Sequence, residues 1–405
     1  MEHLIICSSV LLSKKLFVLL FFCLKKIFVL MSLEEFLSEW NNDSPFIEVK
    51  TSGSTGEPKR MLVEKRRMLA SARITCDFLG LRPGDTALLC MSLDYIAGKM
   101  MVVRALERHL TLTTIPPTGH PLSTQALRSA SLLPHSTFHL PHSTSHLPHS
   151  TFHLPPSTFH LPHSTFHIPH FLALVPLQVY NTLQVPEERE RLMQVEHLII
   201  GGGAIDEAME AELRQFPNAV WSTYGMTETL SHIALRRISG PEASEWYTPF
   251  PSVHLSLSDE GCLIIDAPEV CAETLITNDI AELAPLGEGR GVAFRILGRK
   301  DNVICSGGLK IQAEELERQL RPHMRVPFII SKRPDEKFGE IVVLVTEGSP
   351  TEARTISERL LPKFHQPKEY VHLDHIPLTE TSKPARQKVL SLLDKRTKIF
   401  LDIRT

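Results

Sequence analysis

The 405-residue sequence lacks a C-x-x-C pair, a strong net charge and an apolar run long enough to span a membrane. Its seven cysteines are scattered and odd in number, which argues against a disulfide framework or a structural zinc site and favours a reducing cytoplasm. A formal charge of −3 supplies no basic field of the kind that nucleic-acid-binding proteins use. The composition, with 42% hydrophobic and 22% charged residues, is that of a globular protein of two or three domains. A small molecule is therefore the favoured partner.

Residues 1–30 differ from the rest of the chain because they are rich in apolar side chains. The apolar run at residues 16–24 is flanked by lysines and is about half of the roughly 20 residues that a membrane span needs. We favour the interpretation that residues 1–30 lie upstream of a true start at Met31, because a serine and early acids follow Met31 as in a normal helix start. A hydrophobic leader or membrane anchor is the alternative.

A seven-residue unit of the type Leu-Pro-His-Ser-Thr-Phe-His recurs within residues 133–170. Proline at every seventh position excludes a continuous helix or a central strand, so the pattern predicts an extended or disordered insertion. Half of the 20 histidines lie here, and histidine-rich tracts are able to bind transition metals. We favour an inert duplication at the DNA level, because nothing else in the tract supplies a fixed ligand geometry and long surface insertions cost little entropy.

A loop of small and hydroxylated residues, closed by a lysine, occupies residues 51–59. Small residues let several main-chain N–H groups point into one concavity, while hydroxyls and an ammonium add donors, and this chemistry suits phosphate. The loop lacks the Walker spacing, and on its own it is equally well explained as a flexible Gly/Ser turn. Its candidate phosphate-binding residues are Thr51, Ser52, Gly53, Ser54, Thr55, Gly56 and Lys59.

Two predicted strands end in sequences suited to ligand binding. The strand over residues 197–200 leads into three glycines, where the missing side chains allow a ligand to approach the main chain. The strand over residues 219–224 leads into a loop in which Thr227 precedes Glu228. A hydroxyl beside a carboxylate at a strand end is typical of phosphate and magnesium chemistry in open α/β sheets. A polar loop with an incidental acid is the alternative.

The chain from residue 299 onwards has the pattern of a small α+β domain. Asp279 lies before this domain and Arg299 is its first residue, and these side chains either bind ribose hydroxyls or pair with each other. After Lys310, apolar residues at helical spacing predict a helix, and strand-like runs follow at residues 328–330 and 341–345. The apolar face of that helix consists of Ala313, Leu316 and Leu320. Lys383 lies in a proline-bounded loop, where a lone lysine is normally solvated surface.

Five motifs occur in one order: T-S-G-S-T-G-E-P-K, Y-G-M-T-E-T, T-N-D, G-R-K-D-N with S-G-G-L-K-I, and S-K-P-A-R. This order resembles the adenylate-forming superfamily of acyl-CoA synthetases, adenylation domains and luciferases, and the resemblance covers residues 51–386 apart from the repeat. It implies a large α/β N-terminal domain of the AMP-binding ligase type over residues 31–298. A small α+β C-terminal domain over residues 299–405 would follow on a hinge.

The resemblance also implies roles for single residues in adenylate formation. The loop at residues 51–59 would hold the β- and γ-phosphates of ATP, Thr227 would contact the α-phosphate, and Glu228 would hold Mg²⁺. Asp279 and Arg299 would bind the ribose. The implied nucleotide-binding set further includes Gly202, Gly203, Tyr224 and Gly225.

Further implied roles concern the C-terminal domain. Asp301 matches the hinge, and Lys383 matches the lysine that bridges the substrate carboxylate and the α-phosphate. Three residues would face the site in the thioester-forming orientation, namely Gly307, Gly308 and Lys310. Two positions depart from the usual pattern, since Asn302 stands where a second aspartate is common and Ser382 replaces a glycine.

The reaction explains why these residue types are needed. A carboxylate is a poor nucleophile towards a triphosphate, so the charge at the α-phosphorus must be neutralised and the reactants held in line. The acyl-adenylate then has a good leaving group, and the thiol of coenzyme A attacks its carbonyl, so no cysteine or serine nucleophile is required.

Within the superfamily, residues 92–106 and 198–205 resemble the o-succinylbenzoate-CoA ligases of menaquinone biosynthesis. The resemblance implies a cytoplasmic, ATP-dependent acid–thiol ligase that forms o-succinylbenzoyl-CoA through an acyl-adenylate. Two alternatives stay open: a ligase for another aryl or fatty acid, and an inactive nucleotide-binding relic whose fold the repeat has compromised.

Overall fold

The computed structural model describes residues 31–50, 60–132, 167–286, 291–379 and 384–393. Several sequence-based expectations concern residues outside these ranges and stay predictions. They are the upstream or leader segment at residues 1–30, the phosphate loop at residues 51–59, residues 133–166 of the predicted 133–170 insertion, and Lys383. Within the described ranges, no helix has both the length and the apolar character needed to cross a membrane.

The described chain begins with helix α1 (Leu33–Asn41), which starts at a serine cap as predicted. Ser32 Oγ accepts from the Glu35 N–H at 3.1 Å, and the Glu35 carboxylate accepts from the Ser32 N–H at 2.7 Å. This reciprocal pair satisfies two N–H groups that a helix start leaves without partners. Strands β1 (Phe46–Lys50) and β2 (Arg60–Glu64) follow as an antiparallel pair. Lys50 lies opposite Arg60, so the two ends of the 51–59 loop are held side by side.

An eight-stranded sheet forms the centre of the large domain, with strand order β10-β9-β8-β7-β6-β3-β4-β5. Strands β4, β3, β6, β7 and β8 are parallel neighbours, while β5, β9 and β10 run antiparallel to theirs. The strands are β3 (Thr86–Leu89), β4 (Thr111–Thr114), β5 (Ser131–Leu132), β6 (Phe171–Leu174), β7 (His197–Ile200), β8 (Ala219–Gly225), β9 (His232–Arg237) and β10 (Thr248–Pro249).

Helices cover both faces of this sheet. They are α2 (Lys65–Leu79), α3 (Ile96–Arg108), α4 (Thr124–Arg128), α5 (Pro176–Leu183), α6 (Pro186–Leu192) and α7 (Glu207–Leu213). Alternate residues of β6 enter two separate buried clusters, with Phe171 and Ala173 in one and Leu172 and Leu174 in the other. Because both faces are buried, the central strands are apolar along their length, as parallel strands generally are.

A second, antiparallel sheet leads out of the large domain. It consists of β11 (His254–Leu257), β12 (Cys262–Asp266), β13 (Leu275–Pro285) and β14 (Val292–Arg299), in that order. A single 3₁₀ turn, Lys300–Asn302, then joins β14 to the C-terminal region.

The C-terminal region is a sheet with helices on both faces. Its elements are β15 (Val303–Ser306), β16 (Leu309–Gln312), α8 (Ala313–Leu320), β17 (Phe328–Asp335), β18 (Gly339–Thr346), α9 (Pro350–Leu360), β19 (Glu369–His372) and a helical segment at residues 386–393. The predicted α8 face is confirmed, because Ala313, Leu316 and Leu320 are all buried. Its two buried clusters are separate from those of the preceding sheets. The predicted boundary between residues 298 and 299 falls just before the last residue of β14, next to the 3₁₀ turn, and stays a proposal.

The repeat interrupts the chain between an edge strand and an inner strand of the large sheet. Among the described strands, β5 pairs with β4 alone, at the edge, and β6 lies between β3 and β7. His170, the last residue of the predicted insertion, is bonded to the sheet: its N–H donates to Thr86 Oγ1 at 3.1 Å, and its Nδ1 accepts from the Thr86 N–H at 3.1 Å. The chain is thus anchored to the sheet before β6 begins.

Candidate functional site

The centre of the candidate site lies where β8, β13 and β14 meet. Asp279 on β13 lies opposite Arg299 on β14, and Arg299 Nη1 donates to Asp279 Oδ1 at 3.0 Å. The hydroxyl of Tyr224, on β8, donates to the other carboxylate oxygen at 2.7 Å. Of the two sequence alternatives for Asp279 and Arg299, pairing with each other is present. The pairing leaves acceptor sites on Asp279, because each carboxylate oxygen has two lone pairs.

Burial and charge fix the protonation of this group. Burial, followed by the negative charge of Asp279, raises the pKa of the Tyr224 hydroxyl, so Tyr224 stays a hydrogen-bond donor near neutral pH. Burial lowers the pKa of Arg299, but its hydrogen bond to Asp301 and the charge of Asp279 more than offset this and leave the pKa raised. Arg299 therefore remains a cation between two carboxylates.

The predicted hinge residue, Asp301, is bonded to the same group. Arg299 Nη2 donates to Asp301 Oδ2 at 2.7 Å, and Asn278 Nδ2 donates to Asp301 Oδ1 at 3.2 Å. Asp301 lies in the 3₁₀ turn between the second sheet and the C-terminal region. A rotation about Asp301 would have to change these hydrogen bonds.

The loop that carries Thr227 and Glu228 is fixed by its own neighbours. Thr229 is fully buried; its Oγ1 accepts from the Met226 N–H at 3.0 Å and donates to the Ser231 carbonyl at 2.8 Å. Gly225 is required sterically, since a Cβ there would lie 2.2 Å from the Ser231 carbonyl oxygen. Close packing against the start of β9 thus explains Gly225, a reason that the sequence did not reveal.

The side chains of Thr227 and Glu228 differ in exposure. Glu228 is exposed and Thr227 is half-buried. Neither side chain has a hydrogen bond or an ion pair with another residue in the described part of the chain. They differ in this from Tyr224 and Asp279, which already bind each other.

The three-glycine run lies at the same edge of the large sheet. It follows β7, and the Thr227 loop follows the neighbouring parallel strand β8, so the carboxyl ends of both strands bring these segments together. A Cβ at Gly201 would lie 2.4 Å from Thr223 Oγ1, and Gly202 has a φ of +79°. Gly202 and Gly203 therefore join Tyr224 and Gly225 at one sheet edge.

Gly307 and Gly308 form the two-residue turn of the β15–β16 hairpin. Ser306 pairs with Leu309, and the glycines have φ values of 57° and 87°, both in the left-handed region. A type I′ turn needs two such residues, which accounts for the pair of glycines. Lys310 is exposed on β16 opposite Cys305. No hydrogen bond or ion pair between described residues joins this hairpin to Tyr224, Asp279 or Glu228, so its role in a second orientation stays a prediction.

A buried arginine behind the Thr227 loop was missed by the sequence reasoning. Arg104, in helix α3, is only 2% exposed, and its Nη2 donates to Ser231 Oγ at 2.6 Å. Its Nε has no hydrogen-bond partner, and no carboxylate pairs with it anywhere in the described ranges. Burial lowers the pKa of the Arg104 guanidinium to about 10, so it remains charged at neutral pH. The available signal was one charge within the otherwise apolar stretch 100–106.

The same buried cluster contains His232. Its Nδ1 lies 3.2 Å from Ser231 Oγ and its Nε2 lies 3.0 Å from Thr75 Oγ1. Burial, followed by the positive charge of Arg104, lowers the pKa of His232 well below its ordinary value. The cluster therefore holds one positive charge, on Arg104. A cavity of about 10 Å³ lies beside His232, which is room for one water.

Comparison with known proteins bears on this arrangement. The sequence pattern of the AMP-binding enzyme family matches residues 34–270, more than half of the chain. The chain belongs to the AMP-binding enzyme family. It is 22% identical over 382 residues to a 2-succinylbenzoate–CoA ligase of Bacillus cytotoxicus, covering 86% of this chain and 70% of the relative. This likeness extends beyond the matched family region into the C-terminal residues.

Two solved structures share the fold of this AMP-binding enzyme. An AMP-forming acyl-CoA synthetase/AMP-acid ligase II-like protein from Dyadobacter fermentans matches with a TM-score of 0.53 and 28% identity, covering 89% of this chain and 93% of that one. The o-succinylbenzoate coenzyme A synthetase of Bacillus subtilis, in complex with ATP and magnesium ion, matches with a TM-score of 0.60 and 20% identity, covering 84% and 68%. The expected fold, a large α/β domain followed by a C-terminal region, is confirmed.

The donor set of this AMP-binding enzyme fits Mg²⁺ bound together with a nucleotide. Mg²⁺ usually takes one or two protein carboxylates and completes its shell with waters and substrate phosphates. Glu228 is an exposed carboxylate without a partner in the described chain. The described residues contain no cluster of three or more acidic, histidine or cysteine ligands. An ion at Glu228 would therefore depend on phosphate oxygens of the nucleotide.

Proposed function

We propose that this AMP-binding enzyme is an ATP-dependent acid–thiol ligase that converts o-succinylbenzoate into o-succinylbenzoyl-CoA through o-succinylbenzoyl-AMP. This reaction belongs to menaquinone biosynthesis and would take place in the cytoplasm. Coenzyme A is the second substrate. The similarity to 2-succinylbenzoate–CoA ligases supports the proposal, and the buried cation Arg104 carries the choice of acid.

Each site residue has its own proposed role in adenylate formation. Asp279, held between Tyr224 and Arg299, accepts from the ribose hydroxyls of ATP through its remaining lone pairs. Thr227 donates to the α-phosphate, and Glu228 holds Mg²⁺, which neutralises phosphate charge when bound. The loop at residues 51–59 and Lys383 complete the set of donors around the phosphates.

Arg104 is suited to the second carboxylate of a dicarboxylic acid. In o-succinylbenzoate one carboxylate is activated and the other keeps its charge throughout the reaction. Arg104 is a buried charge that lacks a carboxylate partner among the described residues, and its Ser231 contact places it directly behind the loop of Thr227 and Glu228. A buried charge without a partner is costly, so an anionic ligand would relieve that cost. Benzoate and fatty acids offer no such second charge.

Binding at Arg104 requires a local rearrangement. The cavity beside His232 holds about one water, whereas pockets for drug-sized ligands measure roughly 300 Å³ or more. Arg104 itself is only 2% exposed, and its Nη2 is bonded to Ser231 Oγ in the loop that precedes β9. We expect this loop to move when the acid binds.

The test is an acid panel in an ATP–pyrophosphate exchange assay, comparing o-succinylbenzoate, benzoate and a fatty acid. We expect exchange with o-succinylbenzoate, and we expect Arg104→Met to lower its kcat/KM on the order of 10²-fold, because losing one partner of a buried charge pair costs about 2–5 kcal/mol. Arg108→Met is the matched control on the same helix, since Arg108 pairs with Asp77. Exchange driven by benzoate or a fatty acid but not by o-succinylbenzoate would refute the choice of acid. ATP binding without exchange would support the inactive relic.

A further inference from the structure

The exit of the loop that contains Lys383 is bonded to a buried ion pair. Arg386 follows Lys383 by three residues, and its Nη2 donates to Glu317 Oε2 at 2.7 Å. The side chain of Glu317 is only 9% exposed and that of Arg386 is 25% exposed. The adenylation chemistry described above does not use either residue, so this pair needs its own explanation.

Both members of the pair also bind the main chain of Ile330. The Ile330 N–H donates to Glu317 Oε1 at 2.8 Å, and Arg386 Nη1 donates to the Ile330 carbonyl at 2.8 Å. Ile330 lies on β17, the edge strand of the C-terminal sheet beside β18. The guanidinium therefore spans two fixed acceptors, a carboxylate and a strand carbonyl, and this geometry needs the planar fork of arginine.

The pair joins elements from opposite faces of this sheet. Glu317 belongs to α8, whose apolar face packs in one buried cluster. Arg386 begins the helical segment 386–393, whose Val389 and Leu393 pack in the other cluster. Arg386 reaches the free edge of β17 and meets Glu317 there. The start of the segment is thus held in register with the sheet.

Both ends of the loop are tied to each other as well. Leu378 and Pro384 form an antiparallel bridge, and the Ala385 N–H donates to the Pro377 carbonyl at 2.7 Å. Before the loop, the Ile376 N–H donates to Glu347 Oε1 at 2.7 Å. The described residues that flank residues 380–383 are therefore bonded to each other and to the sheet.

We propose that the Glu317–Arg386 ion pair is a positioning device for the adenylation half-reaction, because it fixes residues 384–386, the exit of the loop that carries Lys383. This inference rests on the proposed function, because Lys383 is proposed to bridge the substrate carboxylate and the α-phosphate. Arg386 acts through Lys383 and does not itself contact a substrate. A shift of about 1 Å at a reacting group is enough to cost on the order of 10²-fold in rate, so the anchoring of the loop exit matters for catalysis.

The experiment measures two half-reactions in the full-length protein: ATP–pyrophosphate exchange for adenylation, and coenzyme A thioester formation from supplied acyl-adenylate. Arg386→Lys keeps the positive charge but loses the planar guanidinium that binds both acceptors. Glu317→Gln keeps an acceptor for the Ile330 N–H but loses the negative charge. We expect both variants to lower exchange about tenfold or more, as for a misplaced catalytic group, and to leave thioester formation unchanged. Arg333→Lys is the matched control, because Arg333 pairs with Glu369 from the same strand β17.

A double-mutant cycle with Lys383→Ala separates positioning from general stability. If Arg386 acts through Lys383, then Arg386→Lys causes no further loss of exchange in the Lys383→Ala background. Four results would overturn the inference: equal losses in both half-reactions, an additive loss in the double mutant, an equal effect of Arg333→Lys, or failure of both variants to fold. Wild-type exchange with the acid panel tests the proposed function separately. If another acid drives exchange, the inference is measured with that acid, and exchange with none refutes both proposals.

Discussion

Tyr224 and Asp279 come from different sheets and meet through a hydrogen bond of 2.7 Å from the phenol to the carboxylate. Arg299 binds the second oxygen of the same carboxylate at 3.0 Å. The orientation of Asp279 is therefore fixed from both sides, which suits the ribose-binding role that we propose for it. A preoriented acceptor loses less conformational entropy on binding than a free one.

Tyr224→Phe removes one of these two contacts and keeps the ring. We expect the KM for ATP in the exchange assay to rise roughly tenfold, because a hydrogen bond to a charged group contributes about 1.5–3 kcal/mol. Tyr247→Phe serves as the control, since the Tyr247 hydroxyl bonds to Ser222 and its ring stacks on Phe294. A KM for ATP that rises equally in both variants would show that ring packing, and not the bond to Asp279, sets nucleotide affinity.

The buried His232 should make the free energy of unfolding depend on pH. Burial and the charge of Arg104 lower its pKa well below the ordinary 6.5, so below pH 6.5 the unfolded chain binds a proton that the folded chain does not. Stability should consequently fall as the pH falls, by up to about 1.4 kcal/mol per pH unit from this group. Urea unfolding of wild type and His232→Asn between pH 7 and pH 5 measures the difference in slope. His375→Asn, at an exposed position, provides the comparison; identical slopes for wild type and His232→Asn would contradict the assignment.

Gly225→Ala should damage the Thr227 loop. A Cβ at this position would lie 2.2 Å from the Ser231 carbonyl oxygen and 2.5 Å from His232 Cα, and overpacking of this kind costs about 1–3 kcal/mol. We expect lower thermal stability and slower adenylation, because the displaced loop carries Thr227 and Glu228. Gly240→Ala is the control, since its added Cβ meets nothing within 4 Å and only its positive φ adds strain. A normal adenylation rate in Gly225→Ala would show that the position of this loop does not affect adenylation.

Deletion of residues 133–166 tests whether the repeat is inert. Because the chain pairs with the sheet at Leu132 and again at His170, a short Gly/Ser linker should preserve the fold. We expect adenylation equal to or better than that of the full chain in the exchange assay. A Gly/Ser segment of the original length distinguishes the effect of length from that of sequence. A soluble deletion variant without turnover would show that the repeat has a role.

Much of the local structure could be predicted from the sequence. The Ser32 cap and the buried face of α8 follow from short-range patterns, since both depend on residues within a few turns of one helix. The ordered motifs also identified Tyr224, Asp279 and Arg299 as members of one site. The cap and the helix face are confirmed because both are read from local spacing. The three site residues contact one another, and their role in nucleotide binding stays a prediction.

Two contacts between residues far apart in the sequence required the three-dimensional structure. Arg104 and Ser231 are 127 residues apart in sequence, and Glu317 and Arg386 are 69 apart. Periodicity predicts which face of a helix is buried, but it does not predict which distant side chain meets a buried charge. The steric need for Gly225 likewise depends on β9, a strand that packs against it from later in the chain.

The position of the repeat has a consequence for variation among related chains. Its flanks are bonded independently, Leu132 to β4 and His170 to Thr86, so neither anchor depends on the number of residues between them. Replication slippage that adds or removes whole units would keep the reading frame and the strand register. We expect the number of seven-residue units to differ between closely related chains, while the sequences on both sides of the repeat stay constant.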